Sequence, residues 1–456
     1  MTARVSVLNG VREDGSYAYG WPDDDQIAHW LEPPAPPPKS RFRAPARGVD
    51  PDDLASAGWA VIYAPGKRAQ CEPALRPLLE RRQDEAGDLY QAIELYPNES
   101  CDYFLERHRA NMGNADPHRL PYYLLLVGDP EEIPFQFQGQ LDQVFAVGRL
   151  HFDCPRHYSA YARAVRESEL ATAPKPRRRI AVFGALNKGD DATRRTTERL
   201  IEPLAFEIER RLKGRVGWQL EKIVGAAATR EALAGVLSRA DAPDLVFTAS
   251  HGMVFDPSDS RQSKLQGALL CSDWQGPDHP ATRECYLAAE DLALGNRPLL
   301  GAITFHLACH SGGTPEWDSF QEPGTGDRRR LAPEPFVSAL AQRLLGDGGA
   351  SAVVAHADRA WTTSFDWDPL EEEPDPKAFL DTILPLVDGC RVGDATESFG
   401  SLYGLLAAQL MERRGLACSR ERKDPARESR LWRATNDIRS FVVYGDPAVR
   451  LRGAER

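Results

Sequence analysis

The stretch Gly301–Pro315 reads GAITFHLACHSGGTP and joins a buried strand to a reactive side chain. An apolar, partly β-branched run leads directly into Cys309 and consists of Ala302, Ile303, Thr304, Phe305, Leu307 and Ala308. The small residues Ser311–Gly313 follow. A continuous apolar run that stops at glycines predicts a strand buried on both faces and then a turn. The sequence therefore predicts that Cys309 lies at the end of a strand, above the edge of a sheet.

A second stretch with the same organisation lies upstream, at Asp244–Phe255 (DLVFTASHGMVF). The apolar residues Leu245–Ala249 are followed, after one serine, by His251 and Gly252. If the two strands are neighbours in a parallel sheet, His251 and Cys309 emerge at the same carboxyl edge, where open α/β sheets carry their sites. The two stretches together indicate one site at that edge.

Length and charge limit the class of protein. With 456 residues, the chain can form two to three average domains or one large two-lobed unit. The formal net charge of −11 argues against a nucleic-acid partner. No apolar stretch reaches membrane-spanning length, and residues 1–19 contain no charged and apolar leader. These features predict a cytoplasmic protein without a membrane partner.

The cysteines do not form a recognisable framework. Eight are scattered along the chain, and no two of them are spaced as CxxC. This spacing argues against disulfides and against a zinc site, so most of the thiols are expected to be reduced and structural. Cys309 differs from the others by its context at a strand end. No cofactor is required by this pattern.

The chain divides into three parts. Residues 1–50 form a segment expected to be extended, because Pro33–Pro38 favours a polyproline-like path. Residues 51–170 are expected to form an N-terminal α/β lobe that contributes to a substrate pocket. The Pro- and Arg-rich stretch 171–179 marks a boundary, and residues 178–456 are expected to form the catalytic lobe.

The fold class follows from the alternation of elements. Predicted helices alternate with apolar strand candidates, which is typical of a largely parallel α/β sheet. The strand candidates are Gly58–Ala64, Tyr122–Val127, Ile180–Gly184, Leu220–Val224, Leu245–Ala249, Ala302–Ala308, Ala350–Ala355 and Phe441–Leu451.

The two strand-end side chains suit acyl transfer. A thiol with a pKa near about 8.5 is mostly protonated at neutral pH, and a nearby imidazole converts it into a usable nucleophile. Acyl transfer also needs donors for the developing oxyanion, and glycine turns expose the backbone N–H groups of Gly252 and Cys309. The pattern predicts a cysteine-dependent hydrolase. Taken alone, Cys309 is more simply interpreted as a structural cysteine at a strand end, and the Ser-His-Gly stretch is about as ambiguous.

The order of these motifs resembles the caspase-like cysteine peptidases, a group that contains caspases, gingipains, separase and the CHAT proteins. Three more stretches resemble the gingipain-like branch: Leu124–Pro134 (LLLVGDPEEIP), Asp142–Arg149 (DQVFAVGR) and Val443–Leu451 (VYGDPAVRL). The resemblance covers about residues 120–452. The segment from His251 to Cys309 is longer than a minimal caspase-like core needs. The resemblance implies a caspase-like open, mostly parallel sheet flanked by helices, in two α/β lobes.

The resemblance also implies roles for individual residues. His251 is expected to be the general acid/base and Cys309 the nucleophile. Asp142 matches the aspartate at the bottom of the pocket of Arg-specific gingipains, where a carboxylate suits a guanidinium. The alternative for Asp142 is a turn or cap residue. Asp358 is the rival pocket acid, and Trp361 is expected either to flank an arginine stem or to be part of the core.

Metal binding has weaker support. His306 and His310 flank Cys309 four residues apart, a spacing that suits a metal only on a helix, and this run is predicted to be a strand. Asp23–Asp25 is more typical of a solvated turn than of a calcium site. The resemblance nevertheless allows a structural calcium ion.

A basic loop follows the predicted nucleophile. The sequence GTGDRRRLAPEP contains Arg329 and Arg330 and reads as an exposed loop, where proteolysis concentrates. Caspase-like enzymes are often matured by cutting a loop in this position. We therefore predict self-cleavage after Arg329 or Arg330, with a merely solubilising loop as the alternative.

Together these observations predict a cytoplasmic cysteine endopeptidase that cleaves a protein or peptide after Arg, and less well after Lys. A regulatory partner protein is compatible with this prediction. The first alternative is a catalytically inactive caspase-like scaffold that binds a partner protein. The second is a different acyl-transfer hydrolase with the same dyad.

Overall fold

The fold is given by a computed structural model. It describes residues 7–8, 10–18, 48–110, 115–171, 178–213, 215, 217–319, 329–362, 365, 376–417 and 425–452. The proline-rich stretch of the predicted N-terminal segment, Asp23–Asp25 and most of the predicted boundary at 171–179 lie outside these residues.

One mixed sheet of ten strands forms the centre of the protein. In chain order its strands are β1 (Trp59–Tyr63), β2 (Tyr90–Glu94), β3 (Tyr123–Val127), β4 (Ala146–Leu150), β5 (Arg178–Gly184), β6 (Trp218–Val224), β7 (Leu245–Ala249), β8 (Ile303–Leu307), β9 (Ala352–His356) and β10 (Phe441–Gly445). Across the sheet the order is β2-β1-β3-β4-β10-β9-β8-β7-β5-β6. The predicted α/β class with a mostly parallel sheet is confirmed.

Two parallel blocks meet at one antiparallel pair. The strands β2, β1, β3, β4 and β10 run in one direction, and β9, β8, β7, β5 and β6 run in the other. At the junction, β9 pairs antiparallel with β10, with His356 opposite Phe441. Consequently the carboxyl ends of β7, β8 and β9 share an edge with the amino ends of β4 and β10. Because β10 joins β4, a single sheet runs through both predicted lobes.

Burial follows the apolar runs in the sequence. Every residue of β3 and of β8 is buried, as expected for strands covered on both faces. The edge strand β2 was not predicted, because its residues are mostly half-buried or exposed and form no continuous apolar run.

Helices connect the strands and cover the sheet. The α-helices are Leu54–Ala57, Arg68–Ala86, Cys101–Arg107, Phe135–Leu141, Pro155–Leu170, Asp191–Thr196, Glu202–Leu212, Arg230–Ser238, Gln262–Leu265, Ala339–Gly346, Lys377–Asp388, Val392–Ala395, Glu397–Ala417 and Pro425–Ile438. Among the described helices, none combines the length and hydropathy needed to cross a bilayer.

Side chains fix several helix starts. Ser100 accepts a hydrogen bond from the Tyr103 amide at 3.2 Å and so caps the helix Cys101–Arg107. The helices Asp191–Thr196 and Glu202–Leu212 are joined by a π-helical turn, Thr197–Ile201. Such turns insert an extra residue into the helical repeat.

A buried ion network ties the carboxyl end of β10 to the first half of the sheet. The Asp446 carboxylate accepts hydrogen bonds from the Trp59 indole at 2.9 Å and from Arg82 Nε at 2.6 Å. The guanidinium of Arg82 also pairs with Glu169 at 2.6 Å, and both Arg82 and Asp446 are fully buried. Such a network is costly to break, because it leaves a charge without compensation inside the protein.

We expect Asp446→Asn to lower the free energy of unfolding by about 3 kcal/mol, because the buried Arg82 guanidinium loses a charged partner. Urea unfolding followed by circular dichroism measures this change. The control is Glu207→Gln, which removes an exposed ion pair with Arg210 and should leave the unfolding midpoint unchanged. Equal midpoints for the wild type and Asp446→Asn would contradict a stabilising role for this network.

Candidate active site

The two predicted reactive stretches are adjacent in the sheet. Strands β7 and β8 pair in parallel, with Ala249 opposite Leu307. His251 and Cys309 each follow two residues later, so both leave the sheet at the same carboxyl edge. Gly252 lies against the backbone of Cys309, and a Cβ at Gly252 would overlap the Cys309 carbonyl oxygen. Only glycine fits there, which explains the Gly after His251.

His251 is oriented by a buried carboxylate. Its Nε2 lies 2.8 Å from Oδ2 of Asp190, and both side chains are fully buried. Its Nδ1 has no hydrogen-bond partner among the described residues. A ring held at one nitrogen by a carboxylate leaves the other nitrogen available for proton transfer, which is the arrangement of a general base.

Asp190 has its own set of donors. The Tyr17 hydroxyl donates to Oδ1 at 2.6 Å, and the backbone N–H and hydroxyl of Thr193 donate to Oδ2 at 3.0 and 2.6 Å. Burial alone would raise the pKa of Asp190, but the neighbouring His251 and these hydrogen bonds outweigh it and lower the pKa. Asp190 is therefore an ionised residue at neutral pH.

Asp190 was not identified from the sequence. A signal was present, because the acidic pair Asp190–Asp191 lies shortly after β5, separated from Gly184 by five residues, and β5 lies beside β7 in the sheet. That neighbourhood is visible only in the tertiary structure. Asp190 also caps the helix that begins at Asp191, so its position is fixed by local structure as well.

Cys309 is enclosed in this form of the protein. Its side chain is fully buried, and Sγ accepts a hydrogen bond from the Ala360 amide at 3.2 Å. Burial raises the pKa of Cys309 to about 12, although the amides of Ala360 and Gly10 and the charge of Arg359 act in the opposite direction. The thiol is therefore protonated at neutral pH in this arrangement.

We expect the alkylation of Cys309 by iodoacetamide to be slow at pH 7 and to accelerate about tenfold per pH unit up to at least pH 10, because only the thiolate reacts and its fraction grows in that way below the pKa. Mass spectrometry of each cysteine over this pH range measures the rate. A plateau below pH 9 would contradict a thiol whose pKa is raised.

The predicted pocket residues lie at the same edge of the sheet. Asp142 ends the helix Phe135–Leu141 just before β4; it is half-buried, and its Oδ1 accepts from the Val147 amide at 3.4 Å. This contact agrees with its alternative interpretation as a cap, and leaves its role in substrate binding a prediction. The start of the same helix approaches the Cys309 loop, since a Cβ at Gly313 would lie 2.6 Å from Phe135 Cζ.

Asp358 and Trp361 follow β9. Asp358 is buried; its carbonyl oxygen accepts from the His310 amide at 2.9 Å, and its Oδ1 accepts from the Arg359 amide at 2.8 Å. Trp361 is buried, and its backbone amide donates to Oδ1 of Asp437 at 2.9 Å. Both residues therefore shape the wall beside Cys309, and neither carboxylate nor indole is exposed.

A second buried histidine–carboxylate pair supports that wall. His356 Nε2 lies 3.0 Å from Oδ1 of Asp437. Burial alone would lower the pKa of His356, but the hydrogen bond and charge of Asp437 outweigh it and raise the pKa. Because Asp437 also accepts from the Trp361 amide, this pair fixes the turn that follows β9. The sequence analysis did not identify it.

The predicted cleavage loop is described only in part. Residues 320–328 lie outside the described residues. Arg329 and Arg330 are exposed, and their backbone pairs with Trp317 and Asp318: the Asp318 amide donates to the Arg329 carbonyl at 2.9 Å. Self-cleavage after either arginine remains a prediction.

Metal ligands do not cluster in the part of the chain that the structure describes. No group of three or more His, Cys, Asp or Glu side chains there could hold a metal ion. His306 lies within β8, not on a helix, and its Nδ1 is 2.8 Å from the Thr248 hydroxyl. The structural calcium ion that the resemblance allows stays a prediction.

Comparison with known proteins found solved structures that align with most of this chain at low identity. No family model and no curated protein matches the sequence. A solved structure titled "Complex of Porphyromonas gingivalis RgpB pro- and mature domains" aligns with a TM-score of 0.49 at 12% identity, over 86% of this chain and 80% of that one. Another, titled "Structure of Protease", aligns with a TM-score of 0.48 at 11% identity, over 88% and 80%. An activity for this chain has to come from the chemistry of its own site.

Proposed function

We propose that the protein is a cysteine peptidase of the caspase-like, gingipain-like type, with Cys309 as nucleophile and His251 as general base. The observation that carries this proposal is the pairing of two strand ends. A thiol and an imidazole leave adjacent parallel strands at one edge, and a buried carboxylate orients the imidazole. An activated nucleophile requires a reactive side chain, a base beside it and a third group that orients the base.

The chemistry proceeds in two steps. His251 Nδ1 takes the proton from Cys309 Sγ, and the thiolate attacks the carbonyl carbon of the scissile peptide. The C–N bond breaks as the imidazolium gives its proton to the leaving amine, and an acyl-enzyme remains. Water then attacks the thioester; the imidazole takes the water proton and returns it to the sulfur as the acid product leaves.

The backbone at the strand ends suits the developing negative charge. The Cys309 amide is close to the sulfur by covalent structure, and Gly252 belongs to a segment in direct contact with the Cys309 backbone. Donors fixed by a sheet need no rearrangement during the reaction, which makes them effective for an oxyanion. Asp190 acts through His251 and is a positioning residue.

A basic residue before the cut is the proposed specificity. For substrates with Arg at that position, we expect Asp142→Asn to lower kcat/KM by an amount that corresponds to about 3–5 kcal/mol of activation free energy. The reason is that a desolvated guanidinium loses its carboxylate partner. Hydrolysis of matched Arg, Lys and Gln peptides measures the preference. The rival variant is Asp358→Asn; loss of arginine preference only there would assign the pocket to Asp358. An unchanged preference in both variants would refute a basic pocket.

An inactive scaffold that binds a partner protein is the second candidate. The full burial of the Cys309 thiol in this form favours it, because a nucleophile must be reachable. A scaffold would keep the pocket and bind peptide without turnover.

A peptide-library digest separates the two candidates. The peptidase proposal expects new peptide ends from a Gly10→Ala variant, in which Cys309 should be more accessible than in the wild type, and none from Cys309→Ala. Tight peptide binding with no new ends in any of them would support the scaffold and overturn the peptidase.

A further inference from the structure

The beginning of the chain crosses the candidate active site. The N-terminal segment, which consists of Val7–Leu8 and residues 10–18, lies between the two walls that flank Cys309. It belongs to the part of the sequence for which no role was predicted. Its path is described by backbone pairing on both sides of the sulfur.

The first wall is the turn after β9. Val7 pairs antiparallel with Trp361, and Leu8 pairs with Ala360. The Ala360 amide donates to Cys309 Sγ at 3.2 Å, so the pairing reaches up to the sulfur itself. The strand is therefore added to an exposed edge in the manner of a bound peptide.

The second wall is the turn after β7. The Val11 amide donates to the Gly252 carbonyl at 3.1 Å, and the Val254 amide donates to the Val11 carbonyl at 3.0 Å. Gly10 lies between the two walls and is buried. A hydrogen bond from its backbone amide lowers the pKa of the Cys309 thiol. Residues 7–8 thus pair with one wall and Val11 pairs with the other, on either side of the nucleophile.

Several side-chain contacts hold the segment in place, and two of them involve groups around Cys309. After a turn at Gly15 the chain returns, and the Tyr17 hydroxyl donates to Asp190 Oδ1 at 2.6 Å. Arg329, in the predicted cleavage loop, donates from both terminal nitrogens to the Ala18 carbonyl at 3.4 Å. The segment therefore touches the carboxylate that orients His251 and the loop that follows Cys309.

We propose that the cleft running from Ala360–Trp361 past Cys309 to Gly252–Val254 binds an extended peptide backbone, and that the protein's own N-terminal segment occupies it and blocks the nucleophile. The inhibitory effect of this occupancy rests on the proposed function, in which Cys309 is the nucleophile. The occupancy itself rests on the backbone pairing. Peptide substrate and N-terminal segment compete for the same edges.

Two glycines allow the segment to be displaced without changing the cleft. A Cβ at Gly10 would overlap Cγ2 of Val254, and a Cβ at Gly15, where φ is +82°, would overlap the His279 carbonyl. Gly10→Ala and Gly15→Ala should therefore unseat the segment at two different points. The control is Gly235→Ala, on a helix where nothing lies within 4 Å of the added Cβ.

The readout is the reaction of Cys309 with iodoacetamide at pH 7, compared with that of the half-buried Cys154 in the same molecule. In the wild type, Cys309 should react at least about 100-fold more slowly than Cys154, because the segment covers it. Gly10→Ala and Gly15→Ala should each increase the Cys309 rate at least about tenfold, and Gly235→Ala should not. Far-ultraviolet circular dichroism checks that each variant is folded.

Peptide hydrolysis is measured in parallel and separates the two proposals. If the variants expose Cys309 but no peptide is cut, the segment blocks the cleft and the peptidase proposal fails. If the wild type cuts peptides as fast as the folded variants, the peptidase proposal holds and the block is overturned. A wild-type Cys309 that reacts as fast as Cys154 overturns the block without reference to any variant.

A peptide of residues 7–18 completes the test. Added to Gly10→Ala, it should slow both alkylation and hydrolysis, whereas a scrambled peptide of the same composition should not. Millimolar concentrations are appropriate, because the segment in the intact chain has an effective concentration of that order. No protection by the peptide at about 10 mM would overturn the assignment of the cleft to residues 7–18.

Discussion

Replacing Cys309 with alanine is expected to reduce peptide hydrolysis by at least about 10⁴-fold, because no other group in the proposed mechanism can form the acyl-enzyme. The comparison is made in the Gly10→Ala background, where the cleft is expected to be open, as well as in the wild type. Initial rates on a fluorogenic peptide measure the effect.

The matched control is Cys154→Ala. Cys154 is half-buried, lies before the helix Pro155–Leu170, and makes no side-chain capping bond, so hydrolysis should be unchanged. His251→Ala should lose about as much activity as Cys309→Ala, because nucleophile and base act as one unit, and the double variant should lose little more. Additive losses in the double variant would contradict a dyad.

Removing the charge of Asp190 is expected to lower kcat by about 10³-fold in Asp190→Asn, with little change in KM. The carboxylate lies 2.8 Å from His251 Nε2 and fixes which ring nitrogen faces away from it. An amide at the same place no longer favours the tautomer in which Nε2 carries the proton and Nδ1 is basic. Steady-state kinetics on the same peptide separate kcat from KM.

The neighbouring Asp191 supplies the control. Its carboxylate is largely exposed and pairs with Arg194 on the helix surface, so Asp191→Asn changes the charge by the same amount without touching His251. It should retain wild-type kcat. A large rise in KM for Asp190→Asn with an unchanged kcat would assign Asp190 to substrate binding instead of to the orientation of His251.

The strands that carry the site were predictable because their signal is local. Residues 245–249 and 303–307 are mainly apolar and are followed by small residues, and both are fully buried strands. A run that is apolar on both faces has no stable place except the middle of a covered sheet. The α/β class and the placement of His251 and Cys309 at strand ends followed from this pattern alone.

The weakly patterned elements were not predictable in the same way. The edge strand Tyr90–Glu94 has half-exposed residues, so its sequence carries no continuous apolar signal. Its formation depends on pairing with Trp59–Tyr63. Likewise, nothing local indicates that β10 runs antiparallel to β9 and joins the other parallel block.

The sequence alone thus determined the buried strands and the two reactive side chains at their ends, since burial depends on side chains a few residues apart. The tertiary structure decided which groups surround them. Asp190 and His251 are 61 residues apart, and Tyr17 and Asp190 are 173 apart, yet each pair is hydrogen-bonded. Such contacts depend on strand order and on the path of residues 7–18, and these are set by the packing of the whole chain, which no local pattern records.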